Sequence, residues 1–452
     1  MAEREKDGKK GKGAFIKGAA TIAAGGFIAK LIGAFYRIPL TNLIGGRGIG
    51  LYQLVYPVYC LLLTVSATGI PSSIAKLTAE RIGKRRSSAP VFRSAMKLFL
   101  LIGLVGSAIM ALVAPFLSKA QGSESVTNGY YALAPSVFLV SAISVFRGWF
   151  QGKNRMFPTA LSEIVEQLVK VGFGLFFAYL YRDNIEKAVV FLLLSVSLSE
   201  LVALLLMLAL YRRAKNRDRE EKDGGRVAMK HILRLSIPVT LSSMLLPLSS
   251  LLDSVLVVRL LEGYAADAVT LYGLFSGGAV TVINLPVSVC YGIAAASIPA
   301  VATAVAEGKG GVRKRLFFSL GITIAVAAPS ALALYFFAEP AAKIIFRSLA
   351  GEELTVLVRL IKTLSVSALL LSMVQTLSAC LTAQGKPKLA AFSMLVAVVV
   401  KTAAYALLLR DPKISVFGVA HATNLCYLVA FLLDLLYNLI VSKKRTAQAN
   451  GG

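Results

Sequence analysis

Apolar positions along this chain fall in long unbroken blocks, and only short polar breaks separate them between residues 14 and 441. Crossing about 30 Å of hydrocarbon takes around 20 helical residues, which is the length of these blocks. The pattern predicts about twelve transmembrane spans: 14–37, 48–70, 94–117, 129–149, 157–181, 187–211, 233–258, 269–292, 316–337, 356–382, 388–409 and 414–441. The period-two alternation of a membrane β-barrel is missing. A spanning segment must satisfy its own backbone hydrogen bonds, so the fold expected is all-α and polytopic. A basic stretch precedes the first block, as in a signal sequence, but the block is long, carries Lys30 and Arg37 and lacks a cleavage site. It reads as a retained helix.

The longest break, RRAKNRDREEKDGGRVAMK after Tyr211, falls near the middle of the chain. It predicts a basic linker over 212–232 between a six-helix lobe at 14–211 and a second at 233–441, with a basic N-terminus at 1–13 and a tail at 442–452. Two short echoes support a duplicated unit. Gly69-Ile70-Pro71-Ser72-Ser73-Ile74-Ala75 resembles Ser297-Ile298-Pro299-Ala300-Val301-Ala302, and Gln151-Gly152-Lys153 recurs as Gln384-Gly385-Lys386. Parallel halves related by an axis along the membrane normal enclose a central cavity that opens to either side by rocking.

Composition sharpens this picture. The chain is 56% hydrophobic and 16% charged, with a mean hydropathy of +0.71, so the breaks hold no sizeable soluble domain. A net charge of +26 would suit a nucleic-acid partner, but Lys and Arg concentrate in alternate loops between spans. That distribution argues against nucleic acid and predicts a plasma-membrane protein with both termini cytoplasmic. Cys60, Cys290, Cys380 and Cys426 lie in apolar stretches without ligand spacing, and His231 and His421 stand apart from them. No metal and no cofactor are expected. Without a GxxxxGK[ST] loop, the energy source expected is an ion gradient, the membrane potential or a partner protein.

Charges inside the spans cost at least about 2.5–3.5 kcal/mol each unless they face a cavity or a partner, so they are the candidate site. Lys30 and Arg37 lie seven residues apart on one face of the first span. Glu163, Glu166, Gln167 and Lys170 form a polar stripe on the fifth. That stripe suits a polar headgroup, a proton relay or an internal Glu166–Lys170 ion pair. Asp253 sits in the seventh span with Arg259 six residues on, in a helix interrupted by Pro238 and Pro247. Glu200 and Lys401 are further deep charges. Lys30, Arg37 and Arg259 are the candidate substrate-binding residues; Asp253, Glu163, Glu166, Lys170, Glu200 and Lys401 are candidates for ion coupling or a polar cavity. The overall lean is cationic, which suits a phosphate or pyrophosphate, for which Arg offers bidentate geometry. Trp149, with Arg147 and Phe150, reads as a boundary aromatic with no substrate role.

The run from Gly33 to Asn42, containing YRIPLTN, followed by GLYQLVYP at 50–57 and TGIPSSIAKLTAE at 68–80, resembles the stage V sporulation protein B and polysaccharide-biosynthesis group of Gram-positive bacteria. That group lies within the multidrug/oligosaccharidyl-lipid/polysaccharide exporter superfamily. The resemblance implies a flippase, similar to the lipid II flippases, that carries undecaprenyl-pyrophosphate-linked saccharide from the inner to the outer leaflet for peptidoglycan, spore-cortex or surface-polysaccharide synthesis. It also implies that Arg37 lines a cationic cavity. Many lipid II flippases carry two further C-terminal helices, whereas this chain is expected to end after twelve spans, which keeps other lipid-linked oligosaccharides open as substrates. Membrane lipids and H+ or Na+ are the further partners expected. A cation-coupled multidrug exporter of the same fold is the alternative; a membrane-embedded glycosyl polymerase or ligase would need a larger external loop with catalytic carboxylates, so no enzyme is expected.

Overall fold

A computed structural model describes residues 2–65, 69–217, 229–307 and 311–450. Among them every regular element is helical: α1 (Ala2–Leu63), α2 (Ile70–Gly83), α3 (Ala89–Ala120), α4 (Thr127–Gly152), α5 (Phe157–Leu180), α6 (Ile185–Arg217), α7 (Met229–Ser243), α8 (Leu245–Leu261), α9 (Ala268–Gly273), α10 (Val280–Glu307), α11 (Val312–Phe336), α12 (Ala338–Ile345), α13 (Gly351–Ala383), α14 (Pro387–Leu408) and α15 (Phe417–Asn450). A short π-helical turn, Leu274–Ala279, joins α9 to α10. Proline in the first turn marks the start of α2, α3, α5 and α14, where its missing N–H has no helical partner to lose. The Asp267 carboxylate caps α9 by accepting from the Thr270 amide at 2.9 Å.

Nine stretches among the described residues are long and apolar enough to cross a membrane. The difference from the expected twelve has physical causes. The first two spans form one element, α1, whose helical geometry breaks only at Gly45 (φ 67°, ψ −174°). The expected seventh span divides at Met244 into α7 and α8. Pro247 sits in the first turn of α8, where the break makes it harmless. Three charges, Glu163, Glu166 and Lys170, lower the apolar character of α5. The chain is thus a multi-pass, all-helical membrane protein with about twelve spans. α2, in a stretch read as a loop, is an amphipathic helix burying Ile70, Ile74 and Leu77.

By packing, the chain divides into two units. One comprises residues 1–44 and 54–251, the other residues 45–53 and 252–452. In the first, α4 packs on α2, α3 and α6, and α5 packs on α6. In the second, α13 packs on α10, α11 and α15, and α14 packs on α15. The order of contacts is the same in both. Close crossings use small residues: Gly148 and Gly152 of α4 lie against Pro71, Ile74 and Thr78 of α2, where an added methyl would collide. Phe92, Phe146, Trp149 and Phe150 fill the core beside them. Trp149 is therefore buried among these helices, donating to Ser88 Oγ at 3.0 Å.

Candidate functional site

In the first unit the polar stripe of α5 turns inward. Gly26 and Gly33 of the first arm of α1 lie over it, so close that methyl groups there would stand 3.6 Å from Glu163 Oε2 and 3.3 Å from Gln167 Oε1. Glu166 is held from α4: Arg147 Nη2 donates to its Oε2 at 2.9 Å, while Arg147 Nε donates to Ser162 Oγ at 2.9 Å. Lys170 Nζ donates to the Tyr56 hydroxyl at 3.3 Å. In place of the Glu166–Lys170 pair, one of the three alternatives for the stripe, stand two cross-helix bonds, because the two side chains meet different neighbours. Glu200 of α6 is buried and accepts from the Tyr59 hydroxyl at 3.0 Å. Arg147, Glu166 and Lys170 all act on it electrostatically.

Arg37 is half-buried on the first arm of α1, near enough for its charge to reach Tyr56 and Cys60. The side chain of Lys30 lies outside the described residues. The structure therefore gathers Glu163, Glu166, Lys170, Glu200 and Arg37 in the first unit.

In the second unit Asp253 of α8 uses both carboxylate oxygens. Lys401 Nζ donates to Oδ2 and the Tyr405 hydroxyl to Oδ1, each at 2.8 Å from α14. An ion pair only 7% and 14% exposed requires such added hydrogen bonds to offset its desolvation. Arg259, at the far end of α8, is half-exposed and lies 3.5 Å from Glu262. It stands six residues from Asp253, outside that pair.

Sequence reading gave Arg147 no role; that residue lies five residues before the end of α4 (152 less 147), where it pairs with Glu166 of α5. It also passed over Asp434 and Asn438, although an acid in the run FLLDLLYN is a visible signal. Asp434 is fully buried.

A family model described as "Polysaccharide biosynthesis protein" matches residues 15–305, and a second, MatE, matches 238–406. The chain belongs to the polysaccharide biosynthesis protein family. Within that family, Stage V sporulation protein B of Bacillus subtilis (strain 168) is 26% identical over 91% of this chain and 81% of its own length. Lipid II flippase MurJ of the same organism is 28% identical over 35% of this chain and 31% of its own length. Among solved structures, an inward-facing multidrug resistance MATE family transporter of the MOP superfamily superposes with a TM-score of 0.76 at 17% identity, covering 93% of this chain and 96% of that one. Lipid II flippase MurJ in an inward closed conformation gives 0.70 at 14% identity, covering 95% and 90%. These two structures share its fold. This family member is a membrane transporter of the flippase and exporter superfamily, and not an enzyme.

Proposed function

We propose that the protein moves a lipid-linked saccharide, carried on undecaprenyl pyrophosphate, from the inner to the outer leaflet by alternating access of two six-helix lobes around a central cavity. The observation that carries this reading is the polysaccharide-biosynthesis match over residues 15–305, which includes the YRIPLTN segment and Arg37. Arg37, with Lys30 and Arg259, binds the pyrophosphate, and the polyprenyl tail stays in lipid. An interior-negative potential supplies about 2.3 kcal/mol per elementary charge per 100 mV toward outward movement of an anion. Both termini face the cytoplasm, in line with the basic loops. The relatives' names support a peptidoglycan or spore-envelope precursor.

The test is leaflet accessibility of lipid-linked precursor in cells depleted of this protein and of redundant flippases, then rescued with wild type or with Arg37→Ala. Wild type restores outer-leaflet precursor. Arg37→Ala lowers it at least about tenfold while still reaching the membrane, since a charged hydrogen bond contributes about 1.5–3 kcal/mol and 1.4 kcal/mol is tenfold. Precursor trapped inside despite wild-type rescue rejects the substrate. The MatE match over 238–406, which spans Asp253 and Lys401, supports a second reading as a cation-coupled multidrug exporter. In that case drug efflux depends on Asp253 and Glu163, and Arg37 is dispensable.

A further inference from the structure

The second arm of α1 has a weak point at Pro57. Proline carries no N–H, so the Gln53 carbonyl four residues back has no helical donor, and the ring crowds the turn before it. Yet the arm keeps helical geometry through Pro57; within α1 only Gly45 departs from it.

That turn is held from the connection between α3 and α4. Gln121, the residue that closes α3, donates from Nε2 to the Leu54 carbonyl at 2.8 Å. Tyr130, in the first turn of α4, sets its hydroxyl 2.8 Å from Gln121 Oε1 and 3.3 Å from the same carbonyl. Its one proton serves the shorter bond, which turns the amide so that Nε2 faces α1. Leu54, Gln121 and Tyr130 are all completely buried. A buried amide and phenol are costly unless hydrogen-bonded, so their partners matter. The connection has its own closure, since the Thr127 hydroxyl lies 2.7 Å from Ser118 Oγ and 2.8 Å from the Glu124 carbonyl. The Gln121 amide reaches instead to a backbone carbonyl 67 residues away.

Just beyond this clamp stands the polar layer of the first unit. Tyr56 and Tyr59 flank Pro57 and meet Lys170 and Glu200. The charges of Lys170 and Arg37 reach Cys60, the next residue. One helix carries all three side chains, so a slip of the turn at Pro57 displaces them together, and hydrogen bonds weaken steeply once their angles are lost.

We propose that Gln121 and Tyr130 are positioning residues for transport: by clamping the Leu54 carbonyl they hold the proline-weakened turn of α1, and with it Tyr56 and Tyr59, against Lys170 and Glu200. Both are buried, so they act through α1 and not on the substrate. The inference rests on the transporter reading above.

The turn carries its own reporter, because Cys60 is half-buried whereas Cys290, Cys380 and Cys426 are buried. Alkylation of Cys60 by N-ethylmaleimide, followed by peptide mass on purified protein in lipid, measures how often the turn opens. Gln121→Leu/Tyr130→Phe removes both donors and keeps side chains of similar size. Cys60 then labels about tenfold faster, the upper range for one neutral hydrogen bond. Movement of lipid-linked precursor in proteoliposomes falls with it. Pro57→Ala restores the missing N–H, so adding it to the double variant returns the Cys60 rate toward wild type. A packing role for Gln121 and Tyr130 does not respond to a backbone donor placed in α1.

An unchanged Cys60 rate, a faster rate that Pro57→Ala does not correct, or faster labelling with transport unaltered each overturns the proposal. If the double variant does not fold, Gln121→Leu alone takes its place. The Tyr130 hydroxyl then turns to Leu54, the rise shrinks to about threefold, and no rise overturns the proposal. Labelling needs no substrate. Wild type that moves no precursor rejects the saccharide assignment, and labelling with its rescue then decides the clamp.

Discussion

The two units build the same three-helix crossing and fill it with different chemistry. Between α4, α5 and α6 lie Arg147, Ser162, Glu166 and Glu200; between α13, α14 and α15 a spacing of 231 residues, that of the left-handed turns (385 less 154), puts Ser378, Ser393 and Ala397 at the places of Arg147, Ser162 and Glu166, and Asp434 accepts from Ser378. Lys170 and Lys401 share a register too, yet one meets a tyrosine hydroxyl and the other a carboxylate. A shared backbone crossing sets where polar groups stand. The sequence then decides whether a cation or a hydroxyl meets the acid.

This contrast breaks most visibly at Arg147. Arg147→Ala leaves the mostly covered Glu166, 17% exposed, without its cation, and thermal unfolding of the purified protein should show a loss of about 3 kcal/mol. Ser378→Ala, at the matching position, should cost no more than about 1.5 kcal/mol. Equal losses at the two positions would dissolve the comparison. Lys401→Ala strands Asp253 and should cost about 3 kcal/mol, with most of it recovered in Lys401→Met/Asp253→Leu, where an apolar pair replaces the ionic one. If the double variant is no better than the single, the pair contributes more than mutual neutralisation. Gly152→Val forces apart α4 and α2 at Thr78 and Ala75. Overpacking of this kind costs about 1–3 kcal/mol, which proteolysis at α2 should register as earlier cleavage. The smallest effects are at the two turns. Gly385→Ala should lose about 1 kcal/mol, because alanine resists φ 74°. Asn154→Gly should stay within a few tenths in the same melting assay.

The spans were legible because hydrocarbon imposes a length and a composition on every helix that crosses it. α2 was not, since its apolar face is short and its charged face reads as a loop. The stripe at Glu163, Glu166, Gln167 and Lys170 was visible from spacing, but its partners were not, because Arg147 and Tyr56 come from other helices. The repeated Gln-Gly-Lys shows the limit of short matches. Gly385 adopts the left-handed turn, whereas in the first copy Asn154, two residues beyond Gly152, does so. The echo in letters is out of register with the echo in backbone. Asp434 stood in view as a lone acid in the apolar run FLLDLLYN, but its partner Ser378 did not, because it comes from another helix.

Gly45 has a consequence for how the protein can be made. The left-handed residue there opens a segment, 45–53, that packs with the second unit: Gly46 lies against Thr270 and Leu274, and Gln53 donates to Ser276 at 2.8 Å. Residues 233–251, beyond the expected linker, pack with the first. Two half-length polypeptides divided at that linker would each lack a piece supplied by the other. Synthesised apart, they could mature only as a mutually templated pair, so assembly of either unit waits until the ribosome has delivered both.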